Sequence, residues 1–243
     1  MAIFTKTTAF CFVVVVIGAL VFANTLANAQ TSTTIHNDFG VWTGFYLNKP
    51  INNRFTATYQ VDFRTHKNVS QVKNFYHYFS LNYNPVKPLI LHAIYRTGLK
   101  VKNDVYFNSH QFRVGATLKH RIKPVNLDIR LRELFQYGLK LPFEAHNQTH
   151  IRSTLIVRYS PKSLKTQPYM RIEYFYNTYK GETGFDEFRH QLGAAHIFNR
   201  QNELRTFYQL SGNMNKPELT YLHVWGIEYT LTLPKGFIRK KKT

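Results

Sequence analysis

Arginine recurs along this chain at positions where the direction of a side chain is set by its neighbours. Arg54, Arg64, Arg96, Arg113, Arg130, Arg132, Arg152, Arg158, Arg171, Arg189 and Arg205 fall on the polar parity of runs in which every second residue is apolar. A guanidinium carries a permanent charge and several donors, so a set sharing one face either pairs with carboxylates or collects anions. The carboxylates on the same parity are fewer: Asp62, Asp128, Glu173, Glu203 and Glu228. Two readings stay open. The arginines and carboxylates form a structural network that plugs an interior, helped by aromatics on that face such as Tyr76 and Tyr78. Alternatively, the surplus cations line a polar channel that favours small anionic solutes, as charged rings do in pores.

Other chemistry is sparse. A serine hydrolase built on strands needs its serine and histidine side by side on one face. The nearest pairs, His77 with Ser80 and His150 with Ser153, are three residues apart, which sends the partners to opposite faces. The 11 histidines show no His-Glu-x-x-His and no repeated metal spacing. His190 and His196 share a parity with Leu192 and Ala194 and read as girdle or packing residues. Nothing resembles a phosphate-cradling glycine loop. The expectation is no catalytic residue, no metal and no cofactor.

The elements that position the arginines are strands. In Arg54 to Arg64, Phe55, Ala57, Tyr59, Val61 and Phe63 alternate without a break against Thr56, Thr58, Gln60 and Asp62. That period of two gives one apolar and one polar face. The pattern returns from Asp38 to Leu233, giving about eleven strand candidates at a spacing near 18 residues. Paired asparagines and Pro50 mark one turn, and Pro85 with Pro88 another. Aromatics reach 16%, with 16 Tyr and 20 Phe, which suits strands and interfacial girdles better than a helical bundle.

The start of the chain supplies an address. Lys6 precedes an apolar run from Ala9 to Phe22, which closes at Ala27-Asn28-Ala29, a small-x-small cleavage site. This predicts a secretory signal peptide removed after Ala29, and the single cysteine, Cys11, leaves with it. No later apolar run is long enough to span a membrane as a helix, so a membrane location requires a closed barrel. The chain carries 32 Lys plus Arg against 13 Asp plus Glu, a net charge of +19, so its partners are expected to be anionic. Export and the absence of a localised basic patch argue against nucleic acid; Arg239 to Lys242 is the one true charge run.

The chain also resembles a family of uncharacterised secreted bacterial proteins, a domain-of-unknown-function family taken to be outer-membrane barrels. The carriers are Asp38-Phe39-Gly40-Val41-Trp42-Thr43, then Asp62-Phe63-Arg64, Phe188-Arg189-His190-Gln191-Leu192-Gly193, and Asn202-Glu203-Leu204 with Tyr208. The resemblance spans almost all of the mature chain and implies the barrel and its compartment, with no activity and no functional residues to carry over. One departure concerns the end: such barrels usually finish on a terminal aromatic, whereas here Phe237 stands six residues short of the end and Tyr229 is the other candidate to close the last strand.

These observations predict an all-β protein, an antiparallel up-and-down transmembrane β-barrel. An even strand count is usual for such barrels, so twelve strands are expected, with ten as the alternative. The expected organisation is 1–29 signal peptide, 30–37 polar leader, 38–237 barrel and 238–243 basic tail. The expected setting is the bacterial outer membrane, as a porin-like monomer meeting anionic lipopolysaccharide, the assembly machinery and small anionic solutes. The alternatives are an envelope enzyme acting on lipid or glycan, and a soluble periplasmic lipocalin-like barrel that holds a ligand.

Overall fold

The computed structural model describes residues 35–102, 105–139, 147–179, 183–214 and 219–235. The expected signal segment, leader residues 30–34 and the basic tail with Phe237 lie outside the described residues. Eleven strands follow in order: β1 (Ile35–Pro50), β2 (Phe55–His66), β3 (Gln71–Tyr83), β4 (Leu89–Lys102), β5 (Val105–Ile122), β6 (Leu127–Gly138), β7 (Gln148–Tyr159), β8 (Thr166–Asn177), β9 (Gly184–Ile197), β10 (Asn202–Asn213) and β11 (Leu219–Thr232). β1 thus takes in three residues of the expected leader. Each strand pairs antiparallel with the next, and β11 returns to β1 to close the barrel.

The closing pair is parallel, from Ile35 opposite Leu219 to Asn48 opposite Thr232. This departs from the expected count of twelve or ten. Alternating strand directions close on themselves antiparallel only when the number is even. With eleven, the first and last strands run the same way and pair in parallel, so no twelfth strand is needed. The eleven periodic runs of the sequence correspond one for one to the eleven strands.

The barrel is apolar outside and polar inside. On β3, Phe79 and Leu81 face outward and are exposed, while Asn74, Tyr76 and Tyr78 face inward and are buried. On β5, Phe112, Val114 and Leu118 are exposed outward, whereas Ser109, Gln111, Arg113 and Thr117 are buried inward. One inward apolar patch packs Tyr169, Ala195, Phe207, Leu222 and Val224 with Trp42. Phe207 fits there because a glycine flanks it on each neighbouring strand: a Cβ on Gly226 would lie 1.9 Å from its ring, and one on Gly193 2.8 Å from its Cβ.

Side-chain caps fix the turns. Asn52 Oδ1 accepts the amides of Arg54 and Phe55, at 2.8 and 2.9 Å, so β2 starts at Phe55 and not at Arg54. Asn199 Oδ1 caps the β9–β10 turn in the same way through Gln201 and Asn202. The β2–β3 turn holds Lys67, Asn68 and Val69 in the left-handed region, at φ of 51°, 52° and 69°. Such a run is costly for residues other than glycine. Asp38 holds it by accepting the amides of Lys67 at 2.9 Å and Asn68 at 2.8 Å, along with that of Phe39 at 2.8 Å.

Candidate functional site

The strands aim most of the sequence-predicted arginines into the lumen. Arg64, Arg113, Arg130, Arg132, Arg152, Arg171, Arg189 and Arg205 border one interior cavity of about 260 Å³. Arg96 stands beside them on the inner wall, 4.2 Å over the Tyr76 ring, with its Nη2 donating to Ser109 Oγ at 3.0 Å. Arg158 is held at the inner wall by Glu203, at 3.1 Å. Arg54 is the correction: it is exposed in the β1–β2 turn and not in the lumen, because the Asn52 cap ends the strand before it. Arg130 is exposed and borders both the lumen and a depression of about 450 Å³ at the same rim. That depression gathers Lys87, Lys119 and Arg121 around a single carboxylate, Asp128.

Inside, the arginines divide by the company they keep. From β6 to β11 they interlock with glutamates. Glu173, 2% exposed, receives Arg152 at 2.7 Å and Arg132 at 3.7 Å. Arg205 bridges Glu203 at 3.1 Å and Glu228 at 3.0 Å, and Tyr46 donates to Glu228 at 3.2 Å. Arg171 lies in the field of both Glu173 and Glu228. Burial makes such pairs depend on each other, since removing one partner strands the other charge away from water.

A local pattern recurs on four strands. Asp62 pairs with Arg64 at 2.7 Å, Glu187 with Arg189 at 2.6 Å and Glu203 with Arg205 at 3.1 Å, each acid sitting two residues before its arginine on the same inward face. On β5 the same spacing puts Gln111 before Arg113, and the amide oxygen accepts from Nε at 2.7 Å. An amide satisfies a donor without neutralising the charge. Among the described residues, Arg96 and Arg113 have no carboxylate partner.

Aromatic rings take part of that load. Arg64 stacks 4.1 Å over Trp42, and Arg113 lies 5.2 Å from the Tyr78 ring centre. Arg189 contacts Phe175 at 4.5 Å and Trp42 at 5.4 Å. Trp42, Tyr46, Tyr76, Gln136 and Gln191 therefore belong to the interior along with the arginines, and sequence reasoning named only Tyr76 and Tyr78 among the inward aromatics. The signal was available, since all of these residues follow the polar parity of their strands.

The rejected catalytic pairs are apart. His77 faces outward and Ser80 lines the lumen; His150 faces inward, 3.4 Å from Asp186, whereas Ser153 faces outward and donates to Glu133 at 2.6 Å. No group of three metal-ligating side chains occurs among the described residues. The outer face instead carries tyrosine–histidine pairs on four hairpins. Tyr59 Oη lies 2.8 Å from His77 Nδ1, Tyr95 Oη lies 2.8 Å from His110 Nδ1, Tyr208 meets His223, and Tyr174 Oη lies 3.4 Å from His190. In the first three, the histidine sits opposite the residue two places after the tyrosine. His196, on the same outward parity as His190, meets Thr166 at 2.9 Å.

Fold and interior together define a closed, almost wholly antiparallel barrel that is apolar outside and rich in arginine within. The model of a protein family described as Protein of unknown function (DUF2490) matches residues 39–217, well over half of the chain, and the chain belongs to that family. No curated protein and no solved structure matches it.

Proposed function

We propose that this protein is a monomeric bacterial outer-membrane barrel whose arginine-lined interior acts as a narrow, anion-favouring passage. The observation that carries the membrane reading is the inverted polarity. A soluble lipocalin-like barrel hides its apolar parity inside and wets its polar parity, whereas here Phe79, Phe112, Val114, Leu131 and Trp225 are exposed outside and the charges lie within. The shortest strands have twelve residues, which at about 3.3 Å each and a tilt of roughly 40° rise about 30 Å, the thickness of a bilayer core. Outward Tyr, His and Trp suit the membrane interfaces, where a ring can be half buried and its polar atom wet.

The anion preference follows from charge. Eight arginines border the cavity with three carboxylates, Asp62, Glu173 and Glu228, and the depression at the rim is cationic as well. The passage has no catalytic role in this reading, in keeping with serine–histidine pairs split between faces. A second reading, a sealed structural barrel, is favoured by the ion pairs centred on Glu173 and Arg205. Planar-bilayer conductance of the refolded mature protein, with reversal potentials across a salt gradient, separates the two. Anion-selective steps that weaken on changing Arg130 and Arg132 to glutamate support the passage; insertion without current supports the sealed barrel.

A further inference from the structure

The amide at position 111 stands where three other strands hold an acid paired with its arginine, and its consequence is chemical. Three inward arginines pair with an acid two residues before them on the same face; Arg113 has Gln111 at that place. Arg113 is 8% exposed, so its charge is withdrawn from water without a counterion. A buried, uncompensated charge is among the costlier arrangements a protein can hold. Its surroundings add to the deficit. On β4 it faces Ile94 and, two residues along, Arg96; on β6 it faces Gln136. Arg96, Arg152 and Arg64 stand close enough to add their positive charges to its own.

The nearby polar atoms are mostly donors. Gln136, 3% exposed, has no hydrogen-bond partner for its Nε2, and neither do Arg64 Nε, Arg96 Nε and Arg152 Nε. Arg64 and Arg152 border the cavity of about 260 Å³ together with Arg113, and this donor-rich, positively charged lining calls for an acceptor-rich anion. The cavity is too small for a polymer and ample for a hydrated ion.

We propose that the cavity, where it meets the inner face of β5, is a binding site for one small oxyanion of the phosphate class, seated on Arg113 and flanked by Arg64 and Arg152. In this arrangement Gln111 is the residue that keeps the site cationic: it orients Arg113 through Nε and leaves the outer edge of the guanidinium free for the ligand. The site rests on the reading of the interior as anion-favouring, and gives the passage a point at which an ion dwells.

The test is calorimetric titration of inorganic phosphate, and separately of sulfate, into the folded protein in detergent. The expected result is saturable binding near one ion per barrel. Gln111→Glu, which installs the carboxylate found at the equivalent place on three other strands and keeps the size of the side chain, weakens it at least tenfold. Arg113→Gln does the same, and Arg121→Gln, at the rim, leaves it unchanged. Absence of binding to the wild-type protein overturns the proposal, as does a Gln111→Glu protein that retains the strand signature in circular dichroism and binds as the wild type does. Where Arg113→Gln fails to fold, Gln111→Glu alone decides. Reversal potentials taken on the same preparations keep the two ideas apart. Selective current without saturable binding sinks the site and spares the passage; binding without current does the reverse.

Discussion

The two sides of the lumen solve the same electrostatic problem differently. On the side of β6 to β11, six arginines (Arg132, Arg152, Arg158, Arg171, Arg189 and Arg205) share four glutamates (Glu173, Glu187, Glu203 and Glu228), and most pairs close to within 4 Å. On the side of β2 to β5, Arg64, Arg96 and Arg113 share only Asp62, and tyrosine rings, a serine and an amide stand where acids would. The first side is a scaffold in which each charge fixes another. The second leaves binding capacity unspent. The same residue type on the same face is thus paired or left unpaired with acid according to its neighbours two positions along the strand and opposite it across the sheet.

Substitutions sharpen this contrast, beginning with the largest effect. Glu173→Gln strands Arg152 and Arg132, and it should destabilise the barrel by about 3–5 kcal/mol, the usual cost of breaking a buried pair from one side. Urea unfolding followed by tryptophan fluorescence measures it, and a loss below about 1 kcal/mol would show that the glutamate side is no tighter than the other. Gly226→Ala forces a Cβ into the Phe207 ring and should cost about 1–3 kcal/mol in the same assay, because the apolar patch that backs the paired side has no room to yield.

Asp38→Ala removes the acceptor for three amides at the β2–β3 turn. The expected loss is about 1–2 kcal/mol, with faster amide exchange at Lys67 and Asn68 than elsewhere, a local defect that leaves both sides of the lumen intact. Arg96→Gln should change stability least, by less than about 1 kcal/mol in either direction, since no carboxylate is left behind. Its effect should appear instead as a reversal potential shifted toward zero selectivity. A large loss of stability from this substitution would erase the distinction between the two sides.

Much of this was readable from the chain, and for a physical reason. Strand periodicity is a local property, so all eleven strands announced themselves through alternation, and the parity of each arginine announced its face. Pairing across the sheet is not local. That Arg158 meets Glu203, forty-five positions away, depends on the stagger of the closed barrel, which no short window records. Closure itself was invisible for the same reason, and the rule of even strand counts pointed to twelve where parallel pairing of β1 with β11 suffices. Arg54 was misplaced because the alternation runs on into the turn, while the cap that stops the strand is a single oxygen on Asn52. The motif Asp38-Phe39-Gly40-Val41-Trp42 was recognisable before it was intelligible. Its aspartate ties down a left-handed turn, its tryptophan stacks on Arg64, and a Cβ on its glycine would lie 2.4 Å from the Thr65 carbonyl oxygen.

The parallel seam also fixes where the two ends of the barrel wall emerge. Because eleven strands alternate in direction, Ile35 lies at one rim and Thr232 at the other. A linker that joined them would have to climb the whole wall, about 30 Å through or around the barrel, so circular permutation by a short loop is closed to this fold. In a bilayer, the same geometry turns the two ends into reporters of opposite compartments. An epitope placed just ahead of β1 and another just after β11 would be reached from different sides of one membrane, and in a barrel with an even number of strands both would be reached from the same side.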